Sequence, residues 1–388
     1  MPQPDFKPIE ASKRLPLIDI LRGWALLGVV VMNYGEFYFI GLSPHHQSSK
    51  ATDLLITIAN AMFSSKSWTL LSFLFGYGFA VIMQNTRLKN VNSNSFFIKR
   101  MIWLLVLAFI DSAFFFGDIL KDYAFLGLIL LLFSRCSAKT SLYIGAALFL
   151  VTPVINGIVV SLAGNLDIGI LAPYLPLYKS HSLLNALWFG LIGTWKGQVT
   201  DLNLGVTIHT VMFCCFLIGQ AAQKSEFFNK IEINKSFIKK TWLVCLILIL
   251  TDSTLVLTVK KVADMQDYLN LGYWWVMVAM TFTATSICLL YMSGKLKMIF
   301  SGLQAMGKMT LTNYMVQNFV SIILFSGFGF GFGLTHRLPA PYYYLLGLMV
   351  FILQIFISKW WLRKFYYGPV EWVWRQLSYG RRLPGRIK

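Results

Sequence analysis

Residues 17–34 read LIDILRGWALLGVVVMNY, an apolar run in which the only charged or amide side chains are Asp19, Arg22 and Asn33. A transmembrane helix takes roughly 20 mainly apolar residues, fewer where its ends are wet, so this run is long enough to cross a bilayer. Basic residues precede it, as they precede the apolar core of a secretory leader. Asp19 and Arg22 interrupt its start, however, and no small-x-small cleavage pattern follows Tyr34. The run reads as a retained first span.

Nine further runs of the same kind follow, near 67–83, 101–117, 123–133, 141–162, 205–222, 241–259, 271–292, 309–330 and 342–361. They predict an all-α integral membrane protein with about ten transmembrane helices, one polytopic domain over residues 1–388. Composition agrees. Hydrophobic residues make up 56% and charged residues 13% of the 388, about half the charged share of a soluble domain. The lipid bilayer is therefore the expected partner of most side chains. The net charge of +18 does not point to nucleic acid, because a nucleic-acid binder gathers its cations on a soluble face and here they lie between apolar runs.

Those cations also orient the chain. Lys7, Lys13, Arg14 and Arg22 flank the first run; Arg87, Lys89, Lys99 and Arg100 follow the second; Arg135 and Lys139 follow the fourth. Lys224, Lys230, Lys235, Lys239 and Lys240 fall after the sixth run, and Lys295, Lys297 and Lys308 before the ninth. The tail, 362–388, is basic. Because the dense loops alternate with sparse ones, both termini are expected in the cytoplasm, including a short segment 1–16 ahead of the first span. Stretches 52–63 and 163–204 fit no simple span. They read as helices at the outer interface or as segments dipping back into the membrane, and 368–379, with Trp372 and Trp374, as a helix on the cytoplasmic headgroups. Cys214, Cys215, Cys245 and Cys288 lie in apolar runs and Cys136 in a basic loop. That pattern suggests no disulfide or redox pair, and the scattered histidines suggest no metal site.

An ionisable group inside a span is a functional candidate, with simple pairing as its rival. Asp19 and Arg22, three apart on one helix face, can be an anchoring salt pair or a fixed cation for a phosphate or carboxylate. Asn33 lies eleven residues further on, roughly 16 Å deeper, and can bond a neighbouring helix but cannot serve as a base. Asp111 and Asp252 fall inside spans and can couple protons or ions. Asp118, Lys121 and Asp122 read as an outer turn, either solvated or lining an outer mouth with Glu36 and His45 or His46. Asn313 and Gln317, at i and i+4, suit interhelical hydrogen bonding or substrate contact. Gly327, Gly329, Gly331 and Gly333 form no phosphate loop.

Taken together, LIDILRGWALLG at 17–28, LFGYG at 74–78, DIL at 118–120 with Tyr123 and Ala124, GKMTLTNY at 307–314 with Gln317, and GPVEWVWR at 368–375 resemble the YeiB-like bacterial membrane proteins in order along almost the whole chain. The resemblance implies a multi-pass protein of the bacterial inner membrane. The first helix and span number are in turn similar to membrane acyltransferases such as heparan-α-glucosaminide N-acetyltransferase. That likeness implies acyl-CoA as cytoplasmic donor and a glycan or lipid-linked acceptor across the membrane. On it, Arg22 falls on the helix-one arginine of those enzymes, while Asn33 stands where many of them place a catalytic histidine. The resulting candidates are Asn33, Asp118 and Asp122 for catalysis, Asp19, Arg22, Asn313 and Gln317 for donor or substrate binding, and Asp111 and Asp252 for coupling. The alternatives are a carrier of a small organic anion, with Arg22 as its binding cation, and a non-catalytic membrane partner.

Overall fold

The computed structural model describes residues 14–40, 50–164, 168–258, 270–330 and 332–387. Among them the chain is all helical apart from turns and one isolated bridge, Phe365 to Arg386. The helices are α1 Pro16–Phe39, α2 Lys50–Phe63, α3 Lys66–Leu88, α4 Ser93–Phe114, α5 Leu120–Leu130 and α6 Ala138–Ala163. Short α7 Leu175–Lys179 and α8 Leu183–Thr194 precede α9 His209–Lys224, α10 Lys235–Thr258 and α11 Gly272–Met292. Last come α12 Lys297–Lys308, α13 Thr310–Phe325, α14 Ala340–Leu362 and α15 Pro369–Tyr379.

Each run predicted to span overlaps a helix, though those at 101–117 and 309–330 outrun theirs, which end at Phe114 and Phe325. Among the described residues six helical stretches are both long and apolar enough to cross a membrane: Pro16–Phe39, Thr52–Leu88, Ala138–Ala163, Asn203–Lys224, Gly272–Met292 and Ala340–Leu362. Their outward residues are apolar too. Phe356 is 67% exposed, Leu353 60% and Leu150 58%, a surface that water would not tolerate over such an area but lipid does. This is a membrane protein.

Local sequence sets the boundaries. Pro16 supplies a preset first turn to α1. Asn92 caps α4 by accepting from Ser95 N–H at 3.1 Å, and Ser137 caps α6 by accepting from Thr140 N–H at 3.1 Å. Apolar helices have no hydrophobic reason to prefer each other over lipid, so close backbone approach has to supply the packing. Helix α1 lies along α12 because Gly23 and Gly307 let the backbones meet: a Cβ at Gly23 would strike the Leu303 carbonyl, and one at Gly307 the Asp19 carbonyl. At the other end of α1, Phe37 stacks on Phe325 of α13 at 4.4 Å, and Phe325 on Tyr343 of α14 at 5.5 Å.

Two readings of the sequence change here. The turn holding Asp118 is not a solvated one. Helix α4 stops at Phe114, α5 starts at Leu120, and Asp118 and Asp122 are 0% and 6% exposed. Helix α8 covers the turn: Gly190 sits on the Ala113 carbonyl, and Thr194 donates to the Phe116 carbonyl at 3.3 Å. Irregular backbone in a membrane protein persists only where protein buries it, and α8, from within the stretch 163–204, provides that cover. Likewise the tail helix α15 does not lie free on headgroups. It docks under α4 and α13, with Trp374 donating to the Arg100 carbonyl at 2.9 Å.

Candidate functional site

The basic end of the bundle carries the first constellation. Asp19, 1% exposed, is held in a fork by Arg14, whose Nε and Nη2 donate to its two oxygens at 2.7 and 3.1 Å. Arg22 reaches Asp19 only at 3.4 Å. The sequence pairs Asp19 with Arg22; the structure gives Asp19 chiefly to Arg14, which leaves most of the Arg22 guanidinium directed elsewhere. It lies beside Gly78 and Tyr77 of α3 and shares its surroundings with Arg100 of α4 and Arg375 of α15. Aromatic faces hold these two arginines: Arg100 sits 3.6 Å from the Trp374 ring centre, and Arg375 sits 4.6 Å from that of Tyr367.

The other acid nearby is already occupied. Glu371 of α15 accepts from the N–H groups of Leu311 and Thr312 at 2.7 and 3.0 Å and from the Thr312 hydroxyl, capping α13. Burial lifts its carboxyl above the usual range despite these donors. Four arginines therefore gather where the described acids are one forked by Arg14 and one turned to a helix N-terminus.

A second constellation lies deeper. Asn318 of α13 donates to Asp111 Oδ2 at 2.7 Å, while no amide, hydroxyl or ammonium donor among the described residues reaches the buried Asp111 Oδ1. Asp118 adjoins it, accepting from Tyr314 Oη at 3.3 Å, from Ser112 Oγ at 3.4 Å and from Leu120 N–H at 3.1 Å. The next turn holds Lys121, which donates to the Asp118 carbonyl at 2.7 Å, to Asp122 at 3.1 Å and to Gln198. The other oxygen of Asp122 meets His209 Nε2 at 3.0 Å.

The remaining candidates divide. Asn313 donates to Ser358 Oγ at 3.0 Å and Gln317 to Gln354 Oε1 at 2.7 Å, while Gln354 donates to the Asn313 carbonyl at 3.0 Å. These three bonds tie α13 to α14, the bonding role that their spacing allows. Asn33 is half-buried on α1, and Glu36 near the end of that helix is exposed beside Tyr344 rather than joined to Asp118. The side chain of Asp252 and both His45 and His46 lie outside the described residues. The sequence reading misses Arg14 as the partner of Asp19, Arg100 and Arg375 as neighbours of Arg22, and His209 as the partner of Asp122. No spacing announces the last pair, 87 residues apart.

The fold and these sites define a polytopic α-helical membrane protein with a cation cluster at one end and buried carboxylates within. Residues 222–381 match the family described as "Protein of unknown function (DUF418)". The chain is 27% identical to the uncharacterized protein YxaH of Bacillus subtilis (strain 168) over 96% of each chain. It is 26% identical to the uncharacterized protein YeiB of Escherichia coli (strain K12), over 93% of this chain and 95% of that one. The chain is thus YeiB-like along nearly its whole length, as the motifs imply, and its relatives are bacterial. No solved structure matches it.

Proposed function

We propose that this protein is an acyltransferase-like enzyme of the bacterial inner membrane. It takes an acyl donor, acyl-CoA, from the cytoplasm and acts on an extracytoplasmic or lipid-linked acceptor such as a glycan. In this reading all ten apolar runs cross the bilayer, both termini are cytoplasmic, and the basic end faces the cytoplasm.

One observation carries the proposal: Arg22, Arg100 and Arg375 gather at the basic end, with Asp19 already matched by Arg14. Guanidinium forks suit the phosphates of a coenzyme A thioester. From Arg100 to Asp111 helix α4 rises eleven residues, roughly 16 Å, a distance that the extended pantetheine arm can cover. The acyl group would then lie near Asp118 and Asp122.

The test is equilibrium binding of labelled acetyl-CoA to the purified protein. We expect saturable binding that falls at least tenfold in Arg22→Ala. A well-folded sample that binds none rejects the proposal. The buried Asp111 carboxyl, which adjoins that of Asp118 and whose Oδ1 no other described donor reaches, favours one rival, a proton-coupled carrier of a small organic anion held by Arg22. Proteoliposomes that accumulate such an anion unchanged, and lose this in Asp111→Asn, would establish the carrier instead.

A further inference from the structure

We infer that His209, held by Asp122, is the base that removes the proton from the acceptor. The inference rests on the acyl-transfer reading above. It supplies from another helix the base that Asn33 cannot provide.

His209 is the first residue of α9 and directly follows the π-helical turn Asn203–Ile208; a second π turn, Trp195–Val199, carries Gln198 to Lys121. Wide turns of this kind cluster at functional sites. Asp122 lies at the start of α5, 6% exposed, and meets His209 Nε2 at 3.0 Å. A carboxylate on Nε2 fixes the tautomer with its proton there and leaves the Nδ1 lone pair as the accepting site. Lys121, on the other oxygen of Asp122 at 3.1 Å, holds that carboxylate in place. The imidazole is not sealed off, since its side chain is 19% exposed.

Depth matches the donor. Lys224, fifteen residues along α9 from His209, bonds the Ser134 carbonyl at 3.1 Å in the basic loop after α5. The rise of α9 therefore sets His209 roughly 22 Å above that loop, past the middle of a hydrocarbon core about 30 Å thick. A thioester anchored at Arg22 extends toward the same level from below, and a hydroxyl or amine acceptor arrives from the far side.

The step balances. The acceptor oxygen or nitrogen attacks the thioester carbonyl carbon as His209 Nδ1 takes its proton, and Asp122 stabilises the imidazolium. The new C–O or C–N bond forms, the C–S bond breaks, and the coenzyme A thiolate leaves. The proton then passes from His209 to the thiolate, giving acylated acceptor and free thiol.

The experiment uses the full chain in nanodiscs, as wild type, His209→Gln and Asp122→Asn, with labelled acetyl-CoA and with water or glycerol as acceptor probe. Glutamine keeps a donor toward Asp122, so thermal unfolding should barely move. We expect unchanged acetyl-CoA affinity in His209→Gln, release of free thiol lowered at least 100-fold, and loss of the ascending limb of the pH–rate profile. Diethyl pyrocarbonate should modify His209 in the wild type and stop thiol release without stopping binding. Full turnover with an unaltered pH profile in His209→Gln overturns this inference while the acyl-transfer reading stands. Absence of binding in the wild type overturns both.

Discussion

Asp19 shows how one buried charge organises its neighbours. A carboxylate 1% exposed in an apolar helix has to be matched, and the bidentate contact from Arg14 does this better than the single 3.4 Å contact from Arg22. The two arginines should therefore separate in experiment. Arg14→Ala leaves Asp19 largely unmatched and should cost about 1–2 kcal/mol, discounted because Arg14 is partly exposed. Arg22→Ala should cost little stability but most of the donor binding. Thermal unfolding of both variants in detergent checks this; greater destabilisation by Arg22→Ala would reverse the assignment. Asp19 and Arg22 are legible as a site because charges stand out in an apolar run. Arg14 is not, since it belongs to a basic flank that reads as a topology signal, and Arg100 and Arg375 reach Arg22 only through tertiary packing.

Helices α13 and α15 depend on each other through Glu371. Its carboxylate takes two orphan N–H groups at the start of α13, so the tail helix is tied to a helix nearly sixty residues earlier in the chain. Glu371→Ala should destabilise the fold by about 1 kcal/mol and free α15, and with it Arg375, to protease. Glu371→Gln, which keeps an accepting oxygen and whose neutrality suits a buried position, should be milder. Limited proteolysis of the tail compares them; equal resistance in all three proteins would show that the cap does not hold α15. The apolar runs give away nearly every helix because length and hydropathy are local properties. The docking of α15 and the cover that α8 lays over the Asp118 turn are invisible in sequence, as each depends on partners far away along the chain. Helix α12 escapes for another reason: twelve residues long with a lysine at each end, it reads as part of a basic loop, and only the glycine contacts with α1 reveal it.

Across the whole molecule, the cation cluster and the deeper carboxylates lie at successive depths of one bundle, which gives the protein a direction. In the proposed reading, donor enters at the basic end and acceptor at the other, and the alternating loop charges are what put the basic end in the cytoplasm. The most direct measurement is binding of labelled acetyl-CoA to sealed membrane vesicles of opposite orientation. The account predicts saturable, Arg22-dependent binding when the cytoplasmic face is outward and none when it is enclosed. Binding from the opposite face alone, or binding that ignores Arg22, would contradict it.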